Sequence, residues 1–169
     1  MKNFKYFIFS IIILTLASCK LNLPTLTMNI NSEDYIGKYI LAIQGGIGNN
    51  EQGFIIMAGD NPDLDNSRYL AFAIRGDEIG EYRVTELFND SLKQVVAIYI
   101  PDTTEKYFAT DGFVEITNIN IEKSQISGVF EFTMKDINGN ILTIKNGKFE
   151  NVLYVIVDDI MSEFTQFEE

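Results

Sequence analysis

The groups able to do chemistry in this 169-residue chain are carboxylates, hydroxyls and one thiol. There is no His and no Trp, and the single Cys stands at position 19. Imidazole-based acid–base and nucleophilic schemes are therefore closed, as are most zinc, haem and iron–sulfur sites. A serine nucleophile would need a lysine base, yet no S-x-x-K spacing occurs: Lys93 follows Ser91 too closely, and Ser127 stands three residues after Ser124. The densest oxygen cluster is Asp60-Asn61-Pro62-Asp63-Leu64-Asp65-Asn66-Ser67. Asp60, Asp63 and Asp65 make it a weak calcium candidate, because calcium takes six to eight oxygen ligands. It lacks the glycine and terminal glutamate of an EF-hand, and the same residues suit a solvated turn with Asx-type backbone bonds. A glycosidase-like pair of acids needs a defined separation that spacing across strands does not reveal, and there is no Trp platform for a sugar. Gly45-Gly46-Ile47-Gly48 is followed by another strand pattern rather than a helix, so it reads as a hairpin loop and not a phosphate cradle. No catalytic residue and no cofactor is assigned.

Cys19 carries more information than the acids. Lys2 and Lys5 precede an apolar run from Tyr6 to Leu16, broken only by Ser10 and Thr15, and Leu16-Ala17-Ser18-Cys19 closes it. The run is short for a bilayer span and suits a secretory signal. Leu-Ala-Ser-Cys resembles the lipobox of bacterial lipoproteins. That resemblance implies a thiol carrying diacylglycerol, cleavage just before Cys19, and an acylated new N-terminus. Several acyl chains make such attachment effectively permanent. Lys20 stands where an inner-membrane retention signal would place Asp. The expectation is thus a lipid-anchored chain of the cell envelope, at the outer membrane, on either its periplasmic or its surface face.

The elements that must position any site are strands. Tyr39–Ile43, Phe54–Ala58, Tyr69–Ile74, Tyr82–Val84, Val95–Ile100, Lys106–Ala109, Phe113–Asn118, Ile126–Met134, Ile141–Ile144 and Lys148–Val157 are β-type runs punctuated by turn residues. In Phe130-Glu131-Phe132-Thr133-Met134-Lys135 apolar and polar residues alternate, the pattern of a strand with one wet face. Asn138-Gly139 and Asn146-Gly147 both read as hairpin turns, because Asn-Gly suits paired positive φ angles. The pattern predicts a single antiparallel all-β domain of about eight to ten strands, a sandwich or a closed barrel. Residues 1–18 are expected to be a signal peptide, 19–32 a lipidated tether, 33–157 the domain, and 158–169 an acidic tail or short helix carrying Ile160, Met161, Phe164 and Phe167. Glu86–Lys93 is the one internal segment suited to a turn or two of helix.

Three segments form a G-x-[apolar]-x-I-T, I-S-G-x-F-x-F, I-x-N-G-x-F succession: Gly112-Phe113-Val114-Glu115-Ile116-Thr117, Ile126-Ser127-Gly128-Val129-Phe130-Glu131-Phe132 and Ile144-Lys145-Asn146-Gly147-Lys148-Phe149. They resemble an uncharacterised family of Bacteroidota lipoproteins with a single all-β domain. The resemblance implies location and fold class but no site residue. The motif itself reads as structural: Gly128 for close backbone approach or a bulge, Phe130 and Phe132 for the core, Asn146-Gly147 for a turn.

Charge narrows the partners. Lys and Arg total 13 against 24 Asp and Glu, a balance of −11. Loss of Lys2 and Lys5 with the signal makes the mature chain more acidic still, which excludes a nucleic-acid backbone as partner. The reading that follows is a non-enzymatic envelope module, tethered to the membrane by its lipid, that binds a small ligand or a protein. A structural part of an envelope complex is the alternative, and an envelope hydrolase is third.

Overall fold

Alternation along Gln125–Lys135 sets the inside and outside of the molecule. Ile126, Gly128, Phe130, Phe132 and Met134 are buried, and the residues between them are partly exposed. The computed structural model describes residues 23–47, 52–61, 68–85, 93–102 and 104–159. Among these residues there are ten strands and no helix. The strands are β1 (Thr25–Ile30), β2 (Glu33–Gly37), β3 (Tyr39–Gly46), β4 (Gln52–Gly59), β5 (Tyr69–Arg75), β6 (Gly80–Val84), β7 (Gln94–Ile100), β8 (Tyr107–Asn120), β9 (Gln125–Lys135) and β10 (Ile141–Asp159).

All ten belong to one sheet, whose pairings return to their start: β10–β3–β4–β5–β7–β8–β9 and back to β10. The domain is therefore all-β as expected, ring-like rather than a sandwich of two sheets. The ladder is mixed, since β10 pairs with β3 in parallel and so does β6 with β7. Hairpin signals could not anticipate these pairings, because parallel neighbours are joined by chain that does not turn directly from one to the other. Two short elements adjoin the ring, β1 as a branch off β10 that carries β2, and β6 as an insertion. β1 lies between β2 and the first half of β10, after which β3 takes its place along the same edge. β6 lies between β7 and β8, which meet directly only at Ile98↔Phe108 and Tyr99↔Tyr107.

Lys106–Ala109 and Phe113–Asn118, read as two strands, are one strand, β8, with an irregularity between Ala109 and Asp111, and both ends of the domain also differ from the sequence reading. β1 falls within the expected tether of residues 19–32, so the β structure begins at Thr25 and not at residue 33. Its Leu26 and Met28 are buried and tie it down. β10 extends to Asp159. The expected turn at Asn146-Gly147 is absent: Ile141–Ile144 and Lys148–Val157 are one strand with two bulges. Asn146 (φ 52°) and Asn151 (φ 52°) each adopt the left-handed conformation that a turn would also have used. Each bulge adds one residue, so the inward positions run Leu142, Ile144, Gly147, Phe149, Val152 and Tyr154. The Asn138-Gly139 reading fares better, since a hairpin does join β9 to β10. It is longer than a two-residue turn and is organised by Asp136, whose Oδ1 accepts from the Asn138 and Asn140 amides at 2.9 and 2.7 Å.

The core fills the ring. Phe72 packs against Phe130, Phe132 and Phe149 with ring centroids 5.3, 5.9 and 5.9 Å apart. Burial of each such side chain contributes about 1.5–3 kcal/mol. Gly128 is opposite Phe149 and Gly147 is opposite Phe130, so each phenyl ring lies over the other strand's glycine.

Candidate functional site

In β3, β4, β5 and β7 the residues between the core positions are apolar too. Leu41, Met57, Ala71 and Ile98 form one row across the outside of the ring, and Ile43, Ile55, Ala73 and Val96 form the next. β10 extends both rows with Leu153 and Val155, each 55% exposed. These rows contain no charged side chain. The other side of the ring is polar, with Glu115, Glu131, Thr133, Lys145 and Lys148 facing outward from β8, β9 and β10. A contiguous apolar outer face is informative where scattered apolar residues are not.

At one end of this face lies a groove of about 280 Å³ lined by Tyr39, Leu41, Met57, Gly59, Asn61 and Tyr69. Its geometry follows from register. Gly59 of β4 is opposite Tyr39 of β3 and Tyr69 of β5, so two phenol rings rise on either side of a residue with no side chain. Leu41 and Met57, one row further along, continue the apolar floor. Tyr39 is 50% and Leu41 48% exposed, so the groove is open to solvent.

A polar clasp behind the groove holds the chain that brings Tyr69 into place. Asp60 accepts from the Arg68 amide at 3.1 Å and pairs with its guanidinium at 2.8 Å. The Asp60 amide in turn donates to the Arg68 carbonyl at 3.2 Å. Tyr35, buried in β2, donates its hydroxyl to the same carbonyl at 2.9 Å, and the Arg68 guanidinium lies over its ring at 5.4 Å. Burial, and then the Asp60 charge, raise the Tyr35 phenol far above its ordinary pKa, while Arg68 opposes them. Burial likewise raises Tyr99. The Asp60 hydrogen bond raises Arg68, which stays cationic. Both phenols thus remain neutral, and the clasp has the chemistry of a structural support.

Residues 22–153 match a domain of unknown function, DUF6252. The chain belongs to that family. No curated protein and no solved structure matches it. The DUF6252 match includes all three motif segments and ends at Leu153, where β10 leaves β9 and Tyr154 begins the pairing with β3.

Within the DUF6252 domain, the residues singled out by sequence are distributed unevenly. Cys19 lies outside the described residues, as do Asp63 and Asp65. Asp60 is engaged by Arg68 in the clasp. Among the described residues no three His, Cys, Asp or Glu side chains converge on a metal-sized space. Gly45 and Gly46 end β3, with Gly48 outside the described residues, and so are residues 86–92 and 160–169. The groove was missed by sequence reading. Its signals were present as Tyr39, Gly59 and Tyr69, but only strand register makes them neighbours.

Proposed function

We propose that this chain is a lipid-anchored module of the cell envelope that binds an apolar group in its outer groove without transforming it. The row Tyr39–Gly59–Tyr69 carries the binding part of this reading. Ligand sites are concave and mostly apolar, with few polar groups, and here Asn61 and the two phenols are the polar groups beside an aliphatic floor. At about 280 Å³ the groove sits at the small end of such sites, fitting a short acyl segment or one apolar side chain. The lipobox-like Leu16-Ala17-Ser18-Cys19 supports the anchoring part, and a permanently acylated N-terminus would hold the domain at a membrane surface.

Each part has its own test. Metabolic labelling with palmitate is expected to mark the native chain and not the Cys19→Ala variant; absence of label in the native chain overturns the anchor. Titration with lauric acid, followed by NMR, is expected to shift the Tyr39, Gly59 and Tyr69 amides, with loss of the response in Leu41→Asp. Unmoved amides overturn the groove.

A further inference from the structure

We infer that the apolar outer face carrying the groove is seated on the membrane surface itself, so that the bilayer is the partner and its acyl chains supply the apolar group. The inference rests on the anchored reading above and deepens it.

Three observations converge on a lipid partner. The first is composition. The two central rows offer no hydrogen-bonding side chain, whereas a specific protein interface carries about one hydrogen bond per 100–200 Å². Polar side chains enter only in the rows at its two ends: Tyr39 and Tyr69 with Asn61 at one, Tyr being favoured where apolar and aqueous phases meet, and the buried Arg75 and Gln94 of the row Gly45–Gly53–Arg75–Gln94 at the other.

The second is backbone satisfaction. β3 is paired by β10 and β4, β4 by β3 and β5, and β5 by β4 and β7. A surface built this way can lie against hydrocarbon without exposing unpaired peptide groups, which an open sheet edge would do.

The third is where the anchored chain enters. Thr25 opens β1 opposite Glu150, three residues before Leu153 of the apolar face, a distance of about 10 Å along β10. The neighbouring pair Leu26↔Gly37 sits two residues before Tyr39. Five residues, Lys20 to Pro24, separate Thr25 from Cys19, and they reach about 17 Å when extended. A lipid on Cys19 therefore delivers the bilayer to the Tyr39 end of this face, and the charged side of the ring is left toward water.

The test uses the chain as cells process it, reconstituted in phosphatidylethanolamine vesicles, with an environment-sensitive fluorophore on Met57→Cys, Ala71→Cys or Glu131→Cys. Bromine-labelled acyl chains are expected to quench positions 57 and 71 several-fold more than 131. Equal quenching in protein that floats with the vesicles overturns the seated face while leaving the anchor intact. Protein that neither floats nor takes up palmitate overturns the anchor. Shielding of position 57 without vesicles also overturns the inference: it points to a second copy if it grows with protein concentration, and to the chain's own C-terminal residues if truncation after Asp159 abolishes it.

Discussion

Gly147 of β10 lies directly opposite Phe130 of β9, and a Cβ on Gly147 would come within 2.5 Å of that ring. The relationship is reciprocal, because a Cβ on Gly128 would collide with the Phe149 ring and the Glu115 carbonyl. Two G-x-F segments thus interlock, each glycine seating the other strand's phenyl, with the two rings 6.4 Å apart. Gly147→Ala and Gly128→Ala are expected to destabilise by about 2–3 kcal/mol each through overpacking. Urea unfolding followed by circular dichroism measures this, and Phe149→Leu should restore part of the loss in Gly128→Ala but none in Gly147→Ala.

The bulges give a second, opposite expectation for glycine. Asn146 and Asn151 have positive φ, a conformation that costs a β-branched residue about 1–3 kcal/mol. Asn151→Val should therefore lower stability by that amount. Asn151→Gly should stay within about 1 kcal/mol of the native chain. A similar loss in both variants would show that the amide side chain, and not the backbone, matters there.

Raised phenols are expected to make the fold alkali-sensitive. Tyr35, Tyr82 and Tyr99 are raised chiefly by burial. The folded chain keeps protons that the unfolded chain releases near pH 10, so their contribution is complete below about pH 10 and is lost as pH rises toward the folded values. The urea midpoint is expected to hold from neutral to about pH 9 and to fall steeply above it. Tyr35→Phe should cost about 1 kcal/mol at neutral pH, from the lost bond to the Arg68 carbonyl, and make the alkaline fall shallower.

Acid should act on the hairpin after β9. Partial desolvation opposes ionisation of Asp136, yet hydrogen bonds from the Asn140 side chain and the Asn140 and Asn138 amides hold its carboxyl below the ordinary range. A depressed carboxylate stabilises above the unfolded pKa near 3.9 and loses that contribution as pH falls through the folded one. NMR titration should give Asp136 a midpoint below that of an unstructured aspartate. Asp136→Asn should remove the acid-induced changes of the Asn138 and Asn140 amides.

Much of the fold was legible as period-2 patterning and turn residues. The β9 alternation and the strands from Tyr39 to Ile100 could be read because side-chain parity within a strand is local, whereas β8 looked like two strands, split at its irregularity between Ala109 and Asp111. Parity across a bulge is not: an inserted residue at Asn146 or Asn151 resets the count, which made β10 look like two strands. β1 was hidden although Thr25 to Ile30 alternates at every position, because it is one short run directly after Pro24 and is held by pairing with residues more than a hundred positions away. The outer face was visible only as unusually continuous apolar runs, Phe54 to Ala58 and Leu70 to Ile74. Telling an inner row from an outer one required the register that sets Gly59 between Tyr39 and Tyr69.

β10 is the last strand among the described residues, and it is the one that joins β9 to β1 and β3. The ring therefore cannot close until β10 has been made, and that closure unites strands more than a hundred residues apart. Topology of this kind slows folding, because the entropy of large loops must be surrendered before the contacts form. During synthesis the chain stays open, with its future core uncommitted. On the proposed envelope reading, that delay is the interval in which the chain is still open for export.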